Sequence, residues 1–374
     1  MDTDTRNAVI WSGITSDANY FGRFARDLNL CNDPYLSSTM ALCMVPHLSL
    51  AMYESLQKLK KLSPEISTVF SEDALSISAR SRHSLKLFED TKRGIEGQLS
   101  YFRDDVLAAH SERFLNNTWL PLARHFETDL GLNFYAGRLI STTHAATFHL
   151  GFDTNRLLAP NSGPYISSVF EEYGSFFGAL GANLEGQGEQ TFIRSLQVAA
   201  LAKPRDVRAK SYYRQIFNGR DTPEINALLT TFRAMLNFAE LVMEAGINRQ
   251  HLDYTAFKVG YLSVYQVLRS VRLLLDDSAY PLTTRSERIA RSISCSPSAQ
   301  VITRRSSRPF RNTIMHYNLP FQIDVDRVDL SKSFFGLIPI YFPEFDDGAF
   351  VELVRECGAS TAAAFDEWAE GIQD

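Results

Sequence analysis

The sequence predicts an all-α fold, because three long apolar patterns have helical spacing and few stretches suit strands. In residues 222–246, apolar side chains recur every three or four positions, from Pro223, which fits a first helical position, to Gly246, which ends the pattern. The same spacing predicts a helix over residues 253–276 and a third over residues 350–368.

The first half of the chain has weaker helical patterns. Helical spacing is present before Pro64 and across much of residues 84–109, whereas the apolar run 334–342 is a candidate for extended structure. Turn-forming residues at 160–164 and 218–223 mark two boundaries. The predicted parts are a helical N-terminal region of unassigned role (1–160), a connecting basic and glycine-rich segment (161–221) and a C-terminal helical domain (222–374).

Composition excludes several classes of protein. The chain has 374 residues, 45% hydrophobic and 22% charged, which is typical of a folded globular protein and not of a disordered one. No uninterrupted apolar run reaches the roughly 18 residues that span a bilayer, and the first residues are acidic and polar. We therefore expect a cytoplasmic protein with no membrane partner. The four cysteines lack the spacing of zinc or disulfide motifs, so we expect no metal or other cofactor.

Positive charge is concentrated in two segments of an otherwise acidic chain. The net charge is −5, yet residues 285–311 contain seven arginines and one acid, and residues 203–220 contain six basic residues and one acid. Basic patches on an acidic body attract a polyanion locally. Either a nucleic-acid partner or a pair of solvated loops would explain the pattern.

A short predicted helix at the end of the first basic segment carries the most specific pattern. With about 100° between successive residues, Phe310, Ile314 and Tyr317 fall on one stripe, which predicts the side that faces the core. Asn312 and His316 fall on the opposite side, about 40° apart. This placement makes His316 available for chemistry, although many exposed histidines have no role.

The residues Arg311, Asn312 and His316 form an R-N-x(3)-H sequence, which matches the Rx(4–6)H signature of the HEPN superfamily (higher eukaryote and prokaryote nucleotide-binding helical domains). The setting also resembles that family, because the motif opens a helix after a basic loop and follows two long helices. The resemblance covers residues 222–374 and leaves the first 220 unexplained.

The resemblance implies a metal-independent endoribonuclease, of a kind that often serves in bacterial toxin and anti-phage systems. By this pattern Arg311 binds the scissile phosphate, His316 is the general acid or base, and Asn312 orients it. The ribose 2′-hydroxyl is then the nucleophile, and a cyclic phosphate end remains. The residue types suit this chemistry, because histidine titrates near neutral pH and arginine donates several hydrogen bonds to phosphate.

Arg311 and His316 lie about 140° apart around the helix. The side chains of a single motif therefore do not easily reach the same substrate atom. A two-fold axis can set one chain's arginine beside the other chain's histidine. We therefore expect a homodimer with a composite site, as the resemblance also implies. By angle alone Arg308 lies nearer to His316, so the choice between Arg308 and Arg311 stays open.

Further basic residues are expected to contact RNA that is single-stranded or tRNA-like. Arg304, Arg305 and Arg308 precede the motif, and Arg214 lies among aromatic residues at 211–220. Mixed aromatic and basic residues suit single-stranded RNA, although aromatic residues at this spacing also fit a core.

A rival interpretation needs no catalysis. A non-catalytic subunit that binds RNA or a nucleotide, or that serves in assembly, would use the arginine-rich segment for phosphate and leave His316 without a chemical role. Elsewhere, His144 and His149 lack the spacing of a helical zinc pair, and a metal role is not favoured.

Overall fold

The computed structural model confirms a predominantly all-α fold. It describes residues 2–61, 64–88, 94–119, 123–181, 191–219, 222–244 and 253–370.

The predicted N-terminal region is helical along most of its described length. A π-helical turn at Phe102–Leu107 joins α4 to α5. The first eight helices are α1 (Asp2–Asn29), α2 (Pro34–Leu59), α3 (Glu72–Leu87), α4 (Glu96–Tyr101), α5 (Ala108–Phe114), α6 (Thr143–Leu150), α7 (Thr154–Leu157) and α8 (Ser162–Gly181).

The three long helices predicted for the C-terminal part are all present, as α10, α11 and α16. A π-helical turn at Phe238–Met243 extends α10, and the Asp253 carboxylate caps α11 by accepting backbone N–H bonds. The second eight helices are α9 (Ala209–Arg214), α10 (Pro223–Asn237), α11 (Tyr254–Asp276), α12 (Thr284–Ser294), α13 (Pro297–Thr303), α14 (Arg308–His316), α15 (Ile338–Tyr341) and α16 (Asp347–Glu370).

One small antiparallel sheet lies among the helices, with strand order β2-β1-β3. Its strands are β1 (Leu130–Tyr135), β2 (Arg138–Thr142) and β3 (Arg205–Val207).

The prediction of extended structure at 334–342 is wrong. This run forms a 3-10 turn followed by α15, and both Phe334 and Phe335 have positive φ angles. Pro339 stands in the first turn of α15, where its missing N–H costs no hydrogen bond. The apolar residues of this run are therefore buried in a compact turn and not in a strand.

Helix packing joins the predicted parts of the chain. Helix α1 packs along α8, and α2 packs against α3 and α6, while α10, α11 and α16 pack on one another. Two large apolar clusters form the core, and each takes residues from all three predicted parts. The boundaries near residues 160 and 221 therefore do not separate independent cores.

Helix α2 is the one helix of the described chain that is long and apolar enough to span a membrane by length and composition. Most of its apolar window is buried against neighbouring helices, and His47 and Glu54 interrupt its apolar character. A core helix of a soluble protein has the same properties.

Candidate functional site

Helix α14 carries the R-N-x(3)-H residues and has well-defined ends. It starts at Arg308, with Pro309 in its first turn as predicted, directly after a 3-10 turn at Arg305–Ser307. It ends at His316 because Tyr317 adopts the left-handed conformation, with φ of 50°. The histidine therefore stands on the last residue of the helix.

The helix is buried on more sides than its spacing predicts. Phe310 and Ile314 face the core as predicted, but Arg311, Thr313 and Met315 are buried too. Helices α2, α11 and α15 all pack on α14, and this accounts for the extra burial. Asn312 and His316 keep partial exposure, so the face opposite the core is a half-buried strip.

The imidazole of His316 is held by a carboxylate from the N-terminal half of the chain. Its Nδ1 lies 2.9 Å from Oε1 of Glu54, on α2. Nε of Arg82, on α3, donates to the same Glu54 oxygen at 2.9 Å. Glu54 is buried, whereas the His316 side chain is 29% exposed. The three residues form a hydrogen-bonded cluster centred on Glu54, in which His316 is the most exposed member.

The charges around Glu54 determine its protonation state, and with it the position of the hydrogen on His316. Burial acts to raise the pKa of Glu54, but the hydrogen bond from His316 and the charges of His316 and Arg82 outweigh it, so the pKa is lowered. Glu54 is therefore a carboxylate at neutral pH, and the hydrogen on Nδ1 of His316 must be the donor. In the neutral imidazole, Nε2 is then the nitrogen able to accept a proton.

A buried polar network fixes the chain directly after His316. The Tyr317 hydroxyl donates a short hydrogen bond to Asp17 of α1, and Lys258 of α11 pairs with Asp17 at 2.5 Å. Thr255 donates to the other Asp17 oxygen at 2.8 Å, and Ser55 donates to the Tyr317 hydroxyl at 3.5 Å. The end of α14 is thus tied to α1, α2 and α11, which restricts the position of His316.

Arg311 lies away from solvent. The residue is 5% exposed, its guanidinium carbon is 5.2 Å from the centroid of the Tyr265 ring, and one of its terminal nitrogens is 3.6 Å from the Met315 sulfur. These contacts place the guanidinium against α11 and give it a packing role.

The other predicted RNA-binding arginines differ in setting. Arg305 and Arg308 are exposed. Arg304 forms a short ion pair with Glu344 and lies 5.1 Å from the centroid of the Phe342 ring. Arg308 is thus the exposed arginine of α14 itself.

Arg214 is exposed at the end of α9, but two of the aromatic residues around it belong to the core. Tyr213 and Phe217 are buried, and the Tyr213 hydroxyl bonds to Nδ1 of His144 at 2.9 Å. The other His144 nitrogen donates to the carbonyl oxygen of Asp129 at 3.0 Å. His144 is therefore a structural residue of the interior.

Glu54 and Arg82 are the site residues that sequence reasoning missed. Glu54 is the single acidic residue between Pro34 and Leu59, in an otherwise apolar helix. A lone acid in such a helix is a signal of a buried carboxylate with a basic partner. The identity of that partner, 262 residues further along the chain, has no signal in the local sequence.

Comparison of the chain with protein-family models, with curated proteins and with solved structures finds no match. The resemblance to the HEPN superfamily therefore stays a prediction from the residues of α14 and their setting.

Proposed function

We propose that the protein is a metal-independent endoribonuclease in which His316, oriented by Glu54, transfers a proton at the RNA 2′-hydroxyl. The observation that carries this proposal is the hydrogen bond between Nδ1 of His316 and the ionised carboxylate of Glu54. A carboxylate in this position fixes the tautomer of a catalytic histidine and stabilises the imidazolium that forms.

The proposed reaction is an internal displacement at phosphorus. Nε2 of His316 takes the proton of the 2′-hydroxyl, a bond forms between the 2′-oxygen and phosphorus, and the bond to the 5′-oxygen breaks. The leaving 5′-oxygen receives a proton from a second acid, for which the imidazolium of a second copy is suited. The products are a 2′,3′-cyclic phosphate and a free 5′-hydroxyl.

Arg308 is the arginine that we propose for the phosphate. It is exposed, whereas Arg311 is packed against Tyr265. Arg308 and His316 are eight residues apart, which is about 12 Å along a helix axis. This separation favours a composite site in a homodimer, where one chain's arginine and the other chain's histidine meet at one phosphate.

The cellular role proposed is that of a cytoplasmic toxin or anti-phage effector. It rests on the resemblance of Arg311, Asn312 and His316 to the HEPN motif, and on the cytoplasmic expectation from composition. Asn312, half-buried on the same side of α14 as His316, is proposed to assist in orienting the imidazole.

The experiment is incubation of the purified protein with total RNA in EDTA, followed by detection of cyclic phosphate ends. We expect cleavage that EDTA does not inhibit and that His316→Ala abolishes. Inhibition by EDTA would contradict the metal-independent mechanism, and full cleavage by His316→Ala would contradict the role of His316.

A second candidate is a non-catalytic subunit that binds RNA or a nucleotide, or that serves in assembly. The burial of Arg311 favours it, because the arginine of the motif then serves packing, and His316 would serve to neutralise Glu54. Salt-sensitive RNA binding without cleavage, with or without EDTA, would support this candidate over the nuclease.

A further inference from the structure

Two aromatic side chains in the described residues between α5 and β1 are almost fully exposed, one of them at the end of a 3-10 turn at Ala123–Phe126. Trp119 is 82% exposed and Phe126 is 86% exposed. Aromatic residues of this size usually bury most of their surface. Exposure of two of them close together in the sequence therefore indicates an interaction surface.

Hydrogen bonds bring the residues next to Trp119 close to the residues next to Phe126. The Glu127 carboxylate accepts backbone N–H bonds from Asn116 at 2.5 Å and Thr118 at 2.8 Å. Nε of Arg124 donates to the Thr118 carbonyl oxygen at 2.8 Å. Trp119 follows Thr118 and Phe126 precedes Glu127, each with its Cα about 3.8 Å from that of its bonded neighbour. These hydrogen bonds form a clamp that holds the residues next to Trp119 and Phe126 together.

A basic cleft begins beside this clamp. It has a volume of about 340 Å³ between the end of α5 and the short helix α9. Asn116, which donates to Glu127, is one of its lining residues, and Trp119 lies three residues further, within about 11 Å of backbone. The side chains that line the cleft include Arg208, Lys210 and Arg214.

One acid lines the cleft together with these three cations. Asp129 also lines it, but the carboxylate is buried and accepts the backbone N–H of Ala209 at 2.7 Å. Burial raises the pKa of Asp129 despite this hydrogen bond. The solvent side of the cleft is therefore lined by cations.

We propose that this cleft and the two exposed rings form a binding surface for single-stranded nucleic acid. Cations that follow the phosphate backbone, together with aromatic faces on which bases stack, are the combination that such strands require. Arg208, Lys210 and Arg214 contact the phosphates, and Trp119 and Phe126 each stack on a base. That the strand is RNA rests on the proposed function.

The test is fluorescence anisotropy of the full chain with a labelled 2′-O-methyl RNA oligonucleotide of about twelve nucleotides, which lacks the attacking hydroxyl. We expect Trp119→Ala/Phe126→Ala to weaken binding at least tenfold, and Arg208→Ala/Lys210→Ala to weaken it and reduce its salt dependence. Phe321→Ala is the matched control, because Phe321 is 88% exposed on another part of the chain, and binding should not change. Equal affinities for the double aromatic variant and the control would overturn the proposal.

The oligonucleotide separates this inference from the nuclease proposal, because binding is measured on a strand that cannot be cut. If the protein binds it through Trp119 and Phe126 but never cleaves total RNA, the surface stands and the nuclease proposal fails. If the protein cleaves RNA and the loop variants bind normally, the surface is wrong. Binding of the loop to anionic vesicles in place of the oligonucleotide would also overturn it.

Discussion

His316 and His110 are both held by hydrogen bonds, but their surroundings suit them to different tasks. His110 is buried, with Nδ1 bonded to the Asp129 carbonyl oxygen at 3.2 Å and Nε2 to the Thr147 hydroxyl at 2.8 Å. Burial lowers its pKa to about 4, so at neutral pH it is an uncharged structural group. His316 is partly exposed and bonds through one nitrogen to an ionised carboxylate. The carboxylate partner and the partial exposure are what favour proton transfer at His316.

The largest expected effect comes from removing the His316 imidazole. His316→Ala should slow RNA cleavage by about 10² to 10⁴-fold, which is the usual contribution of a positioned acid or base. The measurement is the initial cleavage rate in EDTA. His83→Ala is the matched control, since His83 is an exposed histidine on α3, and it should cleave at the wild-type rate. A similar loss in both variants would remove the distinction between His316 and other histidines.

A second prediction separates the two arginines of α14. Arg311→Ala should lower the free energy of unfolding by about 2 to 4 kcal/mol, because it leaves a gap beside Tyr265 and Met315 in the core. Arg308→Ala should leave unfolding within about 0.5 kcal/mol of wild type, but lower the cleavage rate. Urea unfolding and cleavage assays on both variants test this. A stable Arg311→Ala protein without activity would make Arg311 the catalytic arginine.

The buried histidines predict a loss of stability as the pH falls. The folded-state pKa of His110, at about 4, lies below the ordinary value of 6.5, so its protonation favours the unfolded chain. Its contribution is fully present above pH 6.5 and declines as the pH falls from 6.5 to 4, by about 3 kcal/mol at most. His110→Gln should therefore have a smaller decline than wild type in urea unfolding over this range. Equal declines would show that His110 is not neutral in the fold.

The contribution of Glu54 to stability should be lost at lower pH than that of His110. Its folded-state pKa is lowered, so the stability it contributes is present above its unfolded-state pKa and is lost as the pH falls through its folded-state pKa. Glu54→Gln should remove this loss in acid, and at neutral pH it should slow cleavage by about 10 to 100-fold, because the amide no longer stabilises the imidazolium. Cleavage rates and unfolding at several pH values measure both effects. An unchanged cleavage rate would limit Glu54 to a structural role.

The long helices could be predicted from sequence because their signal is local. Helices α10, α11 and α16 each repeat apolar residues over many turns, so the spacing alone defines the buried face. Helix α14 has nine residues, and its environment is set by α2 and α15 as much as by its own spacing. The burial of Arg311 follows from that packing, which no pattern within α14 could indicate.

The composition of the site was also beyond local sequence reasoning. His316 could be singled out by its place in the R-N-x(3)-H residues. Glu54 reaches it only through the packing of α2 on α14, and Arg82 reaches Glu54 through the packing of α3 on α2. The prediction of extended structure at 334–342 failed because the backbone turns at Phe334 and Phe335, which both have positive φ angles. The contact between Glu54 and His316 depends on long-range packing, which the local sequence does not show.

The most direct test of the central claim is the rate of RNA cleavage in EDTA for wild type, His316→Ala and Glu54→Gln, with the ends of the products identified. We expect wild type to leave 2′,3′-cyclic phosphate ends, Glu54→Gln to cleave more slowly with the same ends, and His316→Ala to leave almost none. Cleavage by His316→Ala at the wild-type rate, or intact RNA with folded wild-type protein, would contradict the claim that His316 and Glu54 form a proton-transfer pair.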